Sequence, residues 1–489
     1  MPASQSKSPD GTDGTPTQPR ETSLSWPARL TGLTGRLAAL ALATVAFVGT
    51  VAASNAAVGL SGASSQSLSV PRWLYVATGG AVIGASALLA SFVTDRRFIA
   101  SIHSWRRALT DGRSLRRGAR VVLALAGVVL LPLAVYRGFT GPQVPTVNFA
   151  LVLVFAGMRA GFTMVTYLFG NAWPLLNPWR TVAERLPNGF VAYPDRLGRW
   201  PAVAGLLALV WVETTTGVTS VPATLATALV GYSAVTVVGA VLVGPDTWFE
   251  RVDPVSVFFA FYGRVAPFTW TEDGLDLRLP GMGLVEDRFV DGLDDVAFVV
   301  ALVWELTFSG FVTTTAGVST VEALAGLGLP PLSVYLGLYL GGFAAFVGLY
   351  VLAAKLAADY LETYRTTREL AVRFAPPLLA IAAGYHLAHY FAFFVSLSPS
   401  LVAVLGSPFS PPPNPLVLSL PAWFGSLTIL FVLAGHLLAI WVAHSTAYEL
   451  FPSRVQAIRS QYSFVVVMML YTALSLWLIS LPTTPPAFL

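Results

Sequence analysis

The sequence predicts an all-α protein: a polytopic integral membrane bundle of ten or eleven transmembrane helices. Three observations carry that expectation. The 489 residues are 55% hydrophobic and only 11% charged, where a soluble chain carries about 25% charged residues. Apolar runs of about 20 residues, the length that crosses a bilayer, recur along the chain. The basic residues also fall into alternate connecting segments, as membrane topology requires.

In chain order, residues 1–36 are rich in Pro, Gly, Ser and Thr and read as a disordered cytoplasmic tail. Residues 37–57 follow Arg29 and Arg36, are rich in Ala, and end in Ser54-Asn55-Ala56-Ala57. They read as a signal peptide or a first transmembrane helix. A helical transmembrane domain then covers 58–482. Its spans are placed near 73–93, 121–139, 147–169, 201–218, 221–243, 294–315, 332–357, 375–397, 422–445 and 462–481.

The connecting segments differ in character. Residues 94–120 hold eight arginines with His103 and Trp105. They read as a juxtamembrane segment that binds anionic lipid, not nucleic acid. In 173–179, Pro174 and Pro178 break the helix at the inner interface, with Trp173 and Trp179 as interface anchors. Residues 244–293 form an acidic cytoplasmic loop. Within it, 255–268 is aromatic-rich and suits the membrane surface. The alternation on either side of Asp273-Gly274 predicts a short hairpin.

The arginines and lysines orient this array. With the N-terminus inside and the C-terminus outside, 26 of the 29 lie on the inner side; Arg72 and Arg137 lie outside and Arg159 within a span. That suits a multi-pass protein of the cytoplasmic membrane.

Function classes are then excluded by absence. There is no Cys, hence no thiolate metal site or thiol nucleophile. No G-x-S-x-G, H-E-x-x-H, P-loop or complete G-x-G-x-x-G occurs.

Ionisable groups inside a membrane are costly and mark function. Arg159, Glu305, His386 and His436 sit roughly 14 to 17 Å from the inner face at 1.5 Å per residue, and His389 roughly 21 Å. Their depths converge on one polar site. His386 and His389 share a helix face, and His436 follows on the next span. Such N and O donors suit Zn, Fe or Cu. Two of the histidines across a haem b iron is an alternative, with Gly384 and Gly435 leaving room for the macrocycle. Hydrogen bonds between helices, or a proton or substrate relay, are further readings. Arg159 and Glu305 suit an ion pair or a site for a substrate anion.

Several runs resemble a known family. They include Val144-Pro145-Thr146-Val147-Asn148, Gly170-Asn171-Ala172-Trp173-Pro174-Leu175-Leu176-Asn177-Pro178-Trp179-Arg180-Thr181 and Tyr193-Pro194-Asp195-Arg196-Leu197-Gly198-Arg199-Trp200-Pro201. Downstream come Ala388-His389-Tyr390-Phe391, Gly435-His436, Ala443-His444 and Arg459-Ser460-Gln461-Tyr462. Together, from about residue 60 to 482, they resemble the polytopic membrane proteins labelled fenitrothion hydrolase. The resemblance implies hydrolysis of an organophosphate triester, a small apolar substrate, and roles for Asn177, Trp179, Arg180, Asp195, Arg196, His389, His436 and His444. This chain departs from the family at Asn171 and Ser309, where the family often carries Asp.

The expectation is therefore a metal-assisted hydrolase. His389 and His436 hold the metal, with His386 or His444 as further ligands. Glu305 serves as base or ligand, and Arg159 stabilises oxyanion charge. A haem- or metal-binding redox protein and a transporter with a mid-membrane polar pathway are the alternatives.

Overall fold

The structure is a computed structural model. It describes residues 72–489 apart from 111–112, 271–273, 287, 362, 415–416 and 422. The expected tail at 1–36 and the segment 37–57 lie outside the described residues. Those described belong to one compact unit, Gly49–Leu489.

The fold is an all-α bundle. Its main helices are α1 (Arg72–Ser91), α2 (Arg96–His103), α3 (Arg113–Thr140), α4 (Phe149–Phe169), α5 (Trp200–Thr215), α6 (Pro222–Val243) and α7 (Pro254–Tyr262). They continue with α8 (Leu293–Val312), α9 (Thr315–Gly326), α10 (Pro331–Tyr360), α11 (Pro376–Gly406), α12 (Phe424–Leu450) and α13 (Tyr462–Ser480). Among the described residues eight helices are long and apolar enough to cross a membrane, and α1 and α5 supply shorter apolar stretches. All ten spans expected beyond residue 58 therefore coincide with a helix. Large apolar side chains such as Leu125, Val129, Val235, Leu340 and Val466 lie exposed on these helices. Outward apolar faces on this scale fit contact with lipid, so the chain is a multi-pass membrane protein.

The core is centred on α8. Phe298 through Val303 are completely buried, and the helix is buried along most of its length. A helix apolar on every side belongs at the middle of a bundle. It packs against α5, α10 and α11, while α11 lies along α4 and α12. The α11–α12 crossing is close because two glycines meet: a Cβ on Gly384 would stand 2.9 Å from Gly435 Cα. This small-residue contact brings the two backbones together.

Contacts between connecting segments fall into two sets. One joins the arginine-rich segments. Arg96 donates to the carbonyls of Phe451 (2.6 Å) and Pro452 (2.8 Å) after α12, Arg251 pairs with Asp195 (2.7 Å), and Arg373 pairs with Glu449 (3.0 Å). The other joins the opposite ends: Tyr335 donates to the Ala487 carbonyl (2.9 Å), Arg137 to that of Phe409 (3.5 Å), and Thr314 bridges to Thr483. The two sets are the two sides that the arginine distribution separates.

On the first side lies a three-stranded antiparallel sheet. The expected hairpin forms between β2 (Phe268–Trp270) and β3 (Leu275–Arg278), with Phe268 opposite Leu277 and Trp270 opposite Leu275. A third strand, β1 (Arg106–Thr110), pairs with β3 on its other edge. It comes from the segment read as a lipid-binding arginine cluster, so part of that cluster is built into the fold. Arg96 is likewise engaged with the end of α12.

Two expectations are corrected. The aromatic stretch after residue 254 does not lie on the membrane surface: in α7, Val257, Phe258, Phe259, Phe261 and Tyr262 are buried. Trp173 and Trp179 are not exposed anchors but are buried too. Their indole N–H groups donate to Ser256 Oγ (3.0 Å) and Ser233 Oγ (2.8 Å). Buried indoles need such partners.

Candidate functional site

The polar residues at mid-depth gather around Arg159. Residues Val152–Phe162 of α4 are π-helical, a geometry rare in runs of this length and frequent at functional sites. The π stretch shifts the hydrogen-bond ladder by one residue, which leaves carbonyls needing other donors. The Arg159 carbonyl receives a hydrogen bond from His386 Nε2 (2.8 Å). The His386 Nδ1 then accepts from Tyr167 Oη (3.3 Å), so both ring nitrogens are occupied. His386 also stacks on Tyr390, with ring centroids 4.6 Å apart.

The Arg159 guanidinium makes a two-pronged pair with Glu305 of α8: Nη1 donates to Oε1 at 3.3 Å, and Nη2 donates to Oε2. Its plane lies over the Tyr390 ring, 5.2 Å from the centroid. A second carboxylate, Glu213 of α5, approaches from the other side, with Oε2 3.5 Å from Arg159 Nε. That Nε has no hydrogen-bond partner, so the contact is an ion pair without a hydrogen bond. The two carboxylates are unequal. Glu305 is 1% exposed, whereas the Glu213 side chain is 27% exposed.

That exposure of Glu213 faces a half-open cavity of about 320 Å³ lined by α3, α4, α5, α6, α7 and the turn 173–179. Arg159 and Glu213 are the charged residues in its wall, which is otherwise almost wholly hydrocarbon and aromatic. The Asn177-Pro178-Trp179 run closes the end nearest the arginine-rich side. Asn177 caps the short helix that follows by accepting from Arg180 N (3.0 Å), and its Nδ2 donates to Ser256 Oγ (3.3 Å). This turns Trp173, Pro178 and Trp179 onto the cavity. Gly127 of α3 permits the approach: a Cβ there would collide with the Leu176 carbonyl.

The four candidate histidines divide in two. His389 and His436 each place Nδ1 on the carbonyl four residues earlier, Tyr385 (2.9 Å) and Val432 (2.8 Å). A carbonyl partner puts the proton on Nδ1 and leaves Nε2 as a lone pair. His436 Nε2 is buried and has no hydrogen-bond partner. His386 and His444 instead spend both nitrogens on protein. His444 Nε2 donates to the Val93 carbonyl (2.8 Å) and its Nδ1 lies 3.3 Å from Gln461 Nε2. So His389 and His436 have the tautomer a metal ligand needs, while His386 and His444 serve as helix connectors. No group of three or more His, Asp or Glu placed to hold a metal occurs among the described residues. The Glu305 carboxylate is turned to Arg159.

The structure thus joins Arg159, Glu305 and His386 as the depths implied, but not His436, which lies against Tyr385; His444 is held by Val93 and Gln461. Glu213 joins this cluster although it lies near the end of the span expected at 201–218; the helix itself, α5, ends at Thr215. Of the positions implied by the family resemblance, Asn177 and Trp179 shape the cavity. Arg180 pairs with Glu184 and Asp246, and Asp195 with Arg251.

Comparison with protein-family models, with curated proteins and with solved structures finds no match.

Proposed function

We propose that this protein binds a small, largely apolar molecule inside the membrane, in the cavity between α3 and α7, with the polar end of that molecule against Glu213 and Arg159. The observation that carries this reading is a half-open cavity of about 320 Å³ whose wall is largely apolar, with Arg159 and Glu213 as its charged residues. Ligand sites are typically apolar clefts with a few placed polar groups, often between the helices of a bundle. The arginine-rich side faces the cytoplasm in this reading, by the positive-inside rule. In the same reading the segment 94–120 meets anionic lipid headgroups.

Hydrolysis of an apolar phosphoester, the activity implied by the resemblance to fenitrothion hydrolases, is a second reading. It is favoured by Glu213, a carboxylate in the cavity wall that could take a proton from an attacking water. In this reading Glu305 holds Arg159 in place and is not itself the base. Neither His389 nor His436, the expected metal ligands, lines the cavity, so this reading gives them no part in the step.

The test uses the full chain in nanodiscs, with protein-free discs as reference. Saturable binding of a small fluorescent naphthalene supports the first reading, and its absence sinks it. Release of nitrophenolate from diethyl nitrophenyl phosphate, lost in Glu213→Gln, supports the second. Release that survives that substitution removes Glu213 as base.

A further inference from the structure

The charges around the cavity do not balance. Arg159 of α4 stands between two carboxylates, Glu305 of α8 and Glu213 of α5. The other titratable groups facing them are neutral in their ordinary forms. They include Tyr262 of α7, Tyr339 of α10, and Tyr390, His386 and His389 of α11. Among the described residues Arg159 is thus the cation that this cluster contains. Its charge is committed to Glu305, through two hydrogen bonds and a nearly complete exclusion of solvent. Glu213 keeps the surplus. Its ion pair with Arg159 Nε has no hydrogen bond, and its free side faces the cavity.

An uncompensated carboxylate in an apolar, membrane-embedded cavity is costly, so it must be neutralised. A proton can do this, and so can a cation. The wall is suited to a cation of one kind. Phe155, Trp173, Trp179, Tyr232, Phe258 and Phe259 all line it. Aromatic faces attract cations, most strongly organic ammonium groups with little water to lose. A metal ion would need several oxygen or nitrogen donors, which the cavity does not offer.

We propose that Glu213 is the exchangeable charge of this cavity and that the ligand is a lipophilic ammonium compound, whose binding displaces a proton from Glu213 to solvent. The step balances: one cation enters, one proton leaves, and the site stays neutral. The proposal rests on the cavity being a binding site and adds the class of molecule it takes.

The test compares benzyltrimethylammonium, a permanent cation, with neopentylbenzene, its uncharged isostere. Both are titrated against the full chain in nanodiscs of zwitterionic lipid, with protein-free discs as reference and tryptophan fluorescence as the signal. The cation should bind at least tenfold more tightly than the isostere at alkaline pH. Its affinity should fall tenfold per pH unit once Glu213 holds a proton, while the isostere shows no such slope. Because the probe cannot titrate, that slope belongs to the protein. Glu213→Gln should bring the two probes together and flatten the slope, and Glu213→Asp should restore both in part. Equal binding of the two probes to the unsubstituted protein overturns the proposal and leaves the cavity reading standing. So does a preference that survives Glu213→Gln. If neither probe binds, the cavity reading falls as well.

Discussion

Arg159 grips Glu305 with both terminal nitrogens of its guanidinium, and the Glu305 side chain is 1% exposed. The pair ties α4 to α8 at the centre of the bundle. Removing one partner strands a buried charge, which typically costs about 3–5 kcal/mol. Arg159→Met leaves Glu305, with Glu213 beside it, without a counter-ion and should therefore lower the melting temperature of the purified protein sharply. Arg159→Met combined with Glu305→Gln and Glu213→Gln should recover much of the loss, because no charge is then left unpaired. A triple variant no more stable than Arg159→Met would show that the cluster does more than fill and neutralise the site.

The contact between Gly384 and Gly435 gives a second prediction. A Cβ at Gly384 would lie 2.6 Å from the Phe431 carbonyl oxygen as well as 2.9 Å from Gly435 Cα. These are backbone atoms that cannot swing aside. Gly384→Ala gains about 1 kcal/mol of helix propensity and loses about 1–3 kcal/mol to overpacking. A net loss of stability is expected. Gly348→Ala in α10 is the control, since its Cβ would meet nothing within 4 Å. Thermal unfolding should show that control unchanged or stabilised, and Gly384→Ala destabilised.

Much of this was legible in the sequence, and the reasons differ by element. The spans declared themselves because about 20 apolar residues have no other use at that density. The convergence of Arg159, Glu305 and His386 followed from depth, since helical rise converts residue number into height. Helix rotation and neighbour choice have no such simple code. That is why Glu305, a candidate metal ligand by depth, proves to be turned to Arg159. It is also why the close approach of Gly384 to Gly435 was not legible. Trp173 and Trp179 looked like interface anchors because their partners, Ser256 and Ser233, lie 83 and 54 residues away. Strand β1 was hidden because its hydrogen-bonding edge, β3, is over 160 residues downstream.

Arg96 separates a structural role from a lipid-binding one. It donates to carbonyls at the end of α12, those of Tyr448, Phe451 and Pro452. A cation there also complements the negative end of the helix dipole. Arg96→Gln should cost roughly 1.5–3 kcal/mol, the range for hydrogen bonds to a charged group. Binding to vesicles containing phosphatidylserine should be unaffected by Arg96→Gln. Weakened vesicle binding with unchanged stability would return Arg96 to the lipid surface.

Asp253 supplies a pH dependence outside the spans. It caps α7, accepting from Ser256 N (2.8 Å) and from the Tyr232 hydroxyl. Burial pushes its carboxyl above the ordinary value of 3.8, and the hydrogen bonds from Ser256 and Tyr232 offset part of that rise. A carboxyl raised in the folded state holds its proton more tightly folded than unfolded. Its contribution is therefore complete below the ordinary value and is lost as pH climbs through the folded one. Asp253→Asn keeps an acceptor for the cap and cannot ionise. Stability measured across the window just above 3.8 should decline less with pH in that variant than in the parent. An identical decline would place the titrating group elsewhere.

Filling the cavity distinguishes a binding site from a packing defect. Ala228 of α6 lies in its wall, beside Leu225 and Leu229. A phenyl ring added there enters open volume, so Ala228→Phe gains buried apolar area, about 1.5–3 kcal/mol for a side chain of that size, without the strain of overpacking. The melting temperature should hold or rise. A small aromatic probe that occupies the same space should lose at least tenfold in affinity, because the ring and the ligand compete for one volume. If affinity is untouched while stability rises, the probe sits elsewhere and the cavity is only a gap between helices.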